Sequence, residues 1–149
     1  MTQPLASLQN VRHAVVVLVR DGEELLLIER AKTDSYPGYW SAITGSMEAG
    51  ESQHDACIRE AAEEAGLRVQ PIAQVFESMT RRAHFVLHWW LCALQGSRQV
   101  TPQPEEVGAW QWLKPAAAAD LPLMFSDTRY FLREVYPLVV AHLAAAGRH

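Results

Sequence analysis

The sequence has little of what marks several classes of protein. It has only two cysteines, Cys57 and Cys92, and their positions fit neither a disulfide framework nor a zinc-ligand spacing. No apolar run is long enough to span a membrane, and residues 1–10 lack the charged start and apolar core of a secretory signal. We therefore expect a cytoplasmic protein with no membrane partner.

Positive charge is also scarce. The 13 Lys and Arg residues against 17 Asp and Glu give a formal net charge of −4, and no basic run occurs. Nucleic-acid polymers are held largely through basic surfaces, so we expect no such partner. The hydrophobic share of 49% and the charged share of 20% are typical of a globular protein, and the length predicts one domain over residues 1–149.

Strand and helix patterns alternate along the chain. β-branched residues over 11–20 predict a buried strand, and Asp21-Gly22 predicts a turn into a second strand at 24–30. Further strands are predicted at 40–44, 69–77, 84–94 and 109–113, with one helix after Ser52 and a long helix opened by Ser126. Strands interleaved with two helices favour an α+β fold with a mixed sheet between helices.

The most informative segment runs over residues 45–67, GSMEAGESQHDACIREAAEEAGL. Ser52 is placed to cap a helix and Gly66 to end it. The spacing i, i+3, i+4, i+7 predicts one apolar stripe for packing against the sheet, formed by Ile58, Ala61, Ala62 and Ala65.

A second face of this helix carries three carboxylates, those of Glu60, Glu63 and Glu64. Carboxylates so spaced repel one another, and pairing of Arg59 with Glu63 would offset only part of that charge. A hard cation such as Mg²⁺ or Mn²⁺ takes oxygen ligands and would satisfy the rest. The ordinary alternative is a solvated acidic face, but the glycine-rich entry, in which Gly45 lets a carbonyl approach an ion, favours the metal site.

The same segment resembles the Nudix box without a gap. Its fixed positions (Gly, five residues, Glu, seven residues, Arg-Glu, then Glu-Glu and Gly) are filled by Gly45, Glu51, Arg59, Glu60, Glu63, Glu64 and Gly66. The resemblance implies an α/β/α sandwich in which the box forms a loop–helix–loop. It also implies hydrolysis of a nucleoside diphosphate linked to another group, with Mg²⁺ or Mn²⁺ as cofactor and water as nucleophile.

The resemblance further implies roles for the box residues. Glu60 and Glu64 would be the main metal ligands, with Glu63 in support and the carbonyl of Gly45 as a main-chain ligand. Arg59 would orient a glutamate, as in such enzymes.

Two further glutamates, one in the box and one outside it, also have implied roles. Glu51 would brace the loop against the helix. Glu106, a few residues ahead of a late tryptophan-containing strand, would be a further metal ligand or the base. Helix carboxylates approach an ion from one side only, which is a physical reason for a ligand from another element. The alternative is that Glu105-Glu106 is an exposed acidic loop, and the general base is left open between Glu60 and a glutamate outside the box.

Four residues outside the box are candidates for substrate binding, namely Arg30, Arg81, Arg82 and Trp90. The arginines could hold phosphates, and the tryptophan could stack on a base. Solvated arginines and a core tryptophan are the ordinary alternatives.

One subgroup is similar in the segment WSAITGSMEAGE, where Thr44-Gly45-Ser46 replaces the usual Gly-Gly entry. This variant, together with HWWLCAL at 88–94, is similar to dihydroneopterin triphosphate pyrophosphohydrolases, which also accept dNTPs. It implies a nucleotide or pterin triphosphate cleaved to monophosphate and pyrophosphate. Other interpretations are a dinucleoside polyphosphate, nucleotide sugar or oxidised nucleotide as substrate, or a ligand-sensing domain without catalysis. Many relatives are dimers, which leaves a homodimer open.

Overall fold

A mixed seven-stranded sheet forms the centre of the molecule. The computed structural model describes residues 11–32, 35–80 and 84–147. The strands are β1 (Arg12–Asp21), β2 (Glu24–Arg30), β3 (Trp40–Ser41), β4 (Ile43–Ser46), β5 (Arg68–Met79), β6 (Phe85–Gln95) and β7 (Val107–Leu113). Their order is β3-β2-β1-β6-β5, with β4 paired to β1 and β7 to β2. β1 runs parallel to β6, and the other pairs are antiparallel.

The helices lie on both faces of this sheet. They are α1 (Gln53–Ala65), α2 (Pro115–Ala119), α3 (Ser126–Tyr130) and α4 (Tyr136–Ala145), with a π-helical turn at Phe131–Val135. α1 packs with one face of β1, whereas the π-helical turn and α4 pack on the other. The predicted α/β/α sandwich is confirmed. Among the described residues, no helix has the length and apolar character needed to cross a membrane.

β1 contributes to both cores because every side chain from Ala14 to Val19 is buried. Even-numbered residues of this run join the cluster that contains Phe131, and odd-numbered residues join the cluster under α1. The β-branched run therefore forms the doubly buried strand that the sequence predicts.

β1 and β2 pair only next to the turn that joins them, and their divergence beyond that point determines where the glycine-rich loop lies. The two strands pair only at Arg20↔Leu25 and Asp21↔Glu24. Residues 14–17 of β1 pair with β4 in a register that sets Val15 opposite Gly45. The single strand predicted over 40–44 is thus two strands, because β3 pairs with β2 and β4 with β1.

The buried face of α1 differs from the predicted stripe. Ile58 and Ala62 are exposed, and the six buried residues are Ala56, Cys57, Glu60, Ala61, Glu64 and Ala65. The prediction was wrong at Ile58 and Ala62 because small residues at positions 56 and 57 face the sheet instead. The helix ends are as expected: Ser52 Oγ accepts from the Asp55 amide at 3.0 Å, and Gly66 adopts φ 66°.

The C-terminal helical region is not one continuous α-helix. The π-helical turn separates α3 from α4 immediately before Pro137. Proline has no amide hydrogen to donate to the preceding turn, so the regular hydrogen-bond ladder breaks there. The prediction of a helix from Ser126 is otherwise correct.

Candidate active site

Two box glutamates are turned into the protein. Glu60 is 7% exposed and Glu64 is 3% exposed, and both lie on the face of α1 that packs toward the sheet. Buried carboxylates are costly unless they are protonated, paired or bound to a metal ion. Their burial therefore needs a functional explanation.

Gly45 lies directly against the carboxylate of Glu60. A Cβ at this position would overlap all three carboxylate atoms of Glu60, and the glycine does not have a positive φ. The residue is therefore required by close approach and not by backbone conformation. The main chain of β4 is thereby brought next to the Glu60 carboxylate, as the metal-site hypothesis requires.

Arg59 ties the loop and the helix together. Its Nε donates to Glu51 Oε2 at 2.7 Å and its Nη2 to Glu51 Oε1 at 2.9 Å. Nη1 donates to Glu60 Oε1 at 2.8 Å and to Glu63 Oε2 at 3.1 Å, and Nη2 donates to the Ser46 carbonyl at 3.0 Å. One guanidinium thus orients three glutamates and the end of β4.

Glu51 is placed as a brace between the loop and the helix. The Arg59 hydrogen bond lowers the pKa of Glu51, so this carboxylate is ionised. Its Oε1 also accepts from the Glu48 amide at 3.0 Å. Glu63, whose side chain is 53% exposed, lies at the outer edge of the network.

Glu106 reaches the site although it is distant in sequence. The loop before β7 is tied to the end of α1, because the amide of Gln103 donates to the Glu64 carbonyl at 2.9 Å. The Glu106 amide then donates to the Gln103 carbonyl at 3.0 Å, and the Glu106 carbonyl accepts from Ala31 at 3.0 Å. These backbone bonds bring the carboxylates of Glu106 and Glu64 into contact.

The buried acids perturb one another strongly. Burial, followed by contacts with Glu106 and Glu60, raises the pKa of Glu64 to about 10. Burial also raises the pKa of Glu60, although Glu64 and Arg59 oppose that shift. Among the described residues, the one buried side-chain polar atom without a hydrogen-bond partner is Glu64 Oε2. An ionised Glu64 therefore needs positive charge at this point.

This donor set fits a hard divalent cation. The described residues contain no ready-made cage of three or more His, Cys, Asp or Glu ligands. They do contain an all-oxygen set, with Glu64 in contact with Glu60 and Glu106 and the Gly45 main chain beside Glu60. Oxygen donors of this kind suit Mg²⁺ or Mn²⁺. The partnerless oxygen of Glu64 is the observation that supports such an ion.

The candidate substrate-binding residues fall in different places. Arg30 ends β2 beside Val107, its Nε donates to the Ser35 carbonyl at 2.7 Å, and its guanidinium lies 5.8 Å from the Phe125 ring. Trp90 is half-buried, and its indole nitrogen donates to Gln53 Oε1 at 2.8 Å, which ties β6 to the first turn of α1. Arg81 and Arg82 lie outside the described residues.

Three aromatic residues beside Arg30, at the end of β2, were missed by the sequence analysis. Tyr36, Tyr39 and Phe125 form a cluster with ring-centroid distances of 5.8, 5.3 and 4.9 Å. Tyr36 is 61% exposed and adopts φ 55°, a conformation uncommon for a residue other than glycine. The paired tyrosines around Pro37-Gly38 were the available signal.

Comparison with known proteins assigns the family. The NUDIX domain model matches residues 10–135. The chain belongs to the Nudix family. The curated relatives that it matches are named as hydrolases.

Curated relatives include the NAD-capped RNA hydrolases NudC of two bacteria. The protein of Chromobacterium violaceum is 31% identical over 121 residues, covering 80% of this chain and 44% of that protein. The protein of Pseudomonas fluorescens is 29% identical over 128 residues, covering 86% and 45%. This chain therefore spans less than half the length of these relatives.

Solved structures support the fold. The MutT protein from Methanosarcina mazei has a TM-score of 0.74 at 17% identity, covering 87% of this chain and 95% of that one. A C. elegans Ap4A hydrolase binary complex has a TM-score of 0.69 at 22% identity, covering 86% and 98%.

These findings change two expectations. The curated relatives are named for a capped RNA, so they do not support the similarity to dihydroneopterin triphosphate pyrophosphohydrolases. The expected absence of a nucleic-acid partner is likewise unsupported. That expectation relied on net charge alone, and net charge does not describe a local site.

Gly45→Ala should disable the site without unfolding the protein. The new Cβ displaces the Glu60 carboxylate, so turnover should fall by about a hundredfold or more, while the circular dichroism spectrum is retained. In a Glu60→Ala background the overlap is gone, and Gly45→Ala should cost little more. Equal losses from Gly45→Ala in both backgrounds would contradict this account.

The stability of the metal-free protein should fall as pH rises. Folded Glu64 has a pKa of about 10 against an ordinary value of 4.5, so the folded protein keeps a proton that the unfolded chain has lost. In chelator, the urea midpoint should be lower at about pH 8.5 than at about pH 6, and Glu64→Gln should flatten that difference. Added Mg²⁺ should stabilise more at the higher pH, because the ion replaces the proton. Identical pH slopes in wild type and variant would refute the assignment.

Glu106 should be separable from its neighbour Glu105. Glu106 contacts Glu64, whereas Glu105 is exposed on the outside of the loop. Glu106→Gln should lower turnover by about a hundredfold, and Glu105→Gln should change it less than about threefold. Steady-state rates at saturating Mg²⁺ measure both, and similar rates in the two variants would remove Glu106 from the mechanism.

Proposed function

We propose that this protein is a divalent-metal-dependent hydrolase that cleaves the pyrophosphate joining two nucleoside-like groups. The carrying observation is the contact of buried Glu64 with Glu60 and Glu106 around an oxygen that lacks a partner. Such a site neutralises the charge of a pyrophosphate through a bound ion. A solvated acidic face would have no reason to bury these groups.

The chain's own residues account for the proposed steps. Glu60, Glu64 and Glu106, with the Gly45 carbonyl, would hold Mg²⁺ or Mn²⁺, which neutralises phosphate charge and acidifies a bound water. Arg59 keeps Glu60 and the loop in position through its hydrogen bonds.

Proton transfer and bond cleavage follow from this arrangement. Glu106, on a loop facing the helix, would accept the proton of the attacking water. The water oxygen bonds to phosphorus, and the bridging oxygen leaves with the second phosphoryl group.

The aromatic cluster supports a base-bearing substrate. Tyr36, Tyr39 and Phe125 lie beside the strand end at which Ala31 donates to the Glu106 carbonyl. An exposed ring such as that of Tyr36 offers a stacking surface for a nucleobase or a similar ring. The capped-RNA relatives and the fold shared with an Ap4A hydrolase favour a substrate with two such groups.

A triphosphate substrate is the second candidate, favoured by the Thr44-Gly45-Ser46 entry to the box. Both candidates use the same carboxylates. They differ in what leaves, which is a second nucleotide in one case and pyrophosphate in the other.

A substrate panel distinguishes the candidates. With Mg²⁺ or Mn²⁺, we expect kcat/KM for NAD, NAD-capped RNA or diadenosine tetraphosphate to exceed that for dNTPs and dihydroneopterin triphosphate by about tenfold or more. NAD should yield two mononucleotides, and Glu64→Gln and chelator should each abolish turnover. Preferred release of pyrophosphate from triphosphates would favour the second candidate instead, and release of orthophosphate alone would contradict both.

A further inference from the structure

A cleft lies beside the glycine-rich loop (residues 44–51). It has a volume of about 470 Å³ and is lined by Arg12, His13, Ser46, Met47, Glu48, Ala49, Gln53 and His88. The loop is one wall, fixed by the Met47 amide donating to the His13 carbonyl at 3.0 Å. The same loop is held from the catalytic side by Arg59, which donates to the Ser46 carbonyl at 3.0 Å. None of the box carboxylates that bind the proposed ion lines this cleft.

Two stacked histidines form its floor. The rings of His13 and His88 lie 5.2 Å apart with an interplanar angle of 16°, and His13 Nδ1 is 2.9 Å from His88 Nε2. His88 is only 6% exposed, and its Nδ1 lies 3.2 Å from Glu77 Oε2. The amide nitrogen of Gln74 lies 3.3 Å from the same Nδ1 and 3.5 Å from Glu77. Glu77, His88 and His13 therefore form a chain that ends at the cleft.

The proton positions in this chain follow from its partners. Burial lowers the pKa of His88 more than Glu77 raises it, so His88 is neutral and carries one proton. The Glu77 carboxylate can only accept, and the Gln74 amide donates to that same carboxylate, so the shorter charged contact at 3.2 Å favours a proton on Nδ1. His88 Nε2 then accepts from the Nδ1–H of His13. A neutral His13 consequently has its lone pair on Nε2, as an acceptor for a hydroxyl group.

The cleft also supplies a cation and an oriented amide. The Arg12 guanidinium lies over the Phe85 ring at 4.9 Å from its centroid, which holds it at the cleft. Gln53 accepts from Trp90 through Oε1 at 2.8 Å, so its amide nitrogen is the group left to donate.

The described residues lining the cleft carry one charge of each sign at fixed positions. Arg12 is the one cation among them, and Glu48 is the one carboxylate, 3.7 Å from Arg59 Nη1. An anion in the cleft would therefore bind at the Arg12 end.

We propose that this cleft binds a ribose phosphate, with Arg12 and Gln53 donating to the phosphate and His13 Nε2 accepting from an adjacent ribose hydroxyl. As a subsite for the part of a substrate beyond the pyrophosphate, it rests on the proposed function. The binding of a ribose phosphate does not depend on the proposed function, because it involves neither a metal ion nor bond cleavage. An acceptor beside a cation distinguishes a ribonucleotide from a deoxyribonucleotide through the 2′-hydroxyl.

The test measures binding in chelator, by titrating the backbone amide resonances of 47–49 with three ligands. These are adenosine 3′-phosphate, its 2′-deoxy analogue and adenosine. We expect the wild type to bind adenosine 3′-phosphate about five times more tightly than the deoxy analogue, the value of one net hydrogen bond. The wild type should bind adenosine 3′-phosphate at least about ten times more tightly than adenosine, the value of a charge-assisted contact.

Two variants separate the two contacts. His13→Asn keeps a donor at the position of Nδ1 but removes Nε2, so it should abolish the preference over the deoxy analogue and keep the preference over adenosine. Arg12→Gln should do the reverse. Arg68→Gln, at the opposite end of β5 from Glu77, is the control and should change neither ratio.

Two results of the binding test overturn the proposal. Absence of saturable binding, or ratios unchanged in both variants, removes the site. If binding holds, a substrate carrying a ribose 3′-phosphate should have a KM raised about tenfold by Arg12→Gln, with the unphosphorylated substrate unaffected. If free adenosine 3′-phosphate instead changes kcat for both substrates, the site is for an effector and the substrate assignment fails. Failure of all turnover with binding intact counts against the proposed function alone.

Discussion

The structure depends on the close approach of α1 to the backbone of β4. Two carboxylates are buried there, and burial of an acid opposes folding unless its charge is removed or matched. Gly45 permits the contact because no side chain stands between the main chain and Glu60. Arg59 keeps it ordered, since one guanidinium holds the helix, Glu51 and the end of β4. The carboxylate of Glu64 has no positive partner, and its raised pKa reflects the free-energy cost of ionising it there. A cation bound beside Glu64 would supply the positive charge that is missing there.

The sheet offsets the cost of this acidic contact and fixes its position. β1 is buried on both faces and therefore belongs to two cores at once, one under α1 and one under the C-terminal helices. Its early separation from β2 leaves room for β4 to enter the sheet, which places Gly45 opposite Val15. β2 meanwhile pairs with β7, and that ladder carries Glu106 to the end of α1. The rigid part of the protein thus positions donors from three separate elements.

Much of this could be predicted from local sequence, and the failures have physical causes. Ser52 and Gly66 act within one turn of α1, so their effects are visible in the chain itself. The buried face was misassigned because an apolar period selects Ile58 and Ala62, whereas the folded helix turns Glu60 and Glu64 inward to meet the loop. The periodicity of apolar residues gives no information on contacts between distant segments. His13 meets His88 across 75 residues only because β1 and β6 run parallel, and no spacing encodes that.

Two surfaces with different chemistry are the proposed recognition regions. At the end of β2, Tyr36, Tyr39 and Phe125 offer aromatic surface. In the other region, His13 and the loop residue Met47 border a polar cleft, and the loop is fixed by Arg59. A group bound in the cleft would press on the backbone that adjoins Gly45, and hence on the Glu60 carboxylate. Binding of a group beyond the pyrophosphate can therefore alter the positions of the carboxylates, because one short segment of main chain forms the wall of the cleft and also supports these carboxylates.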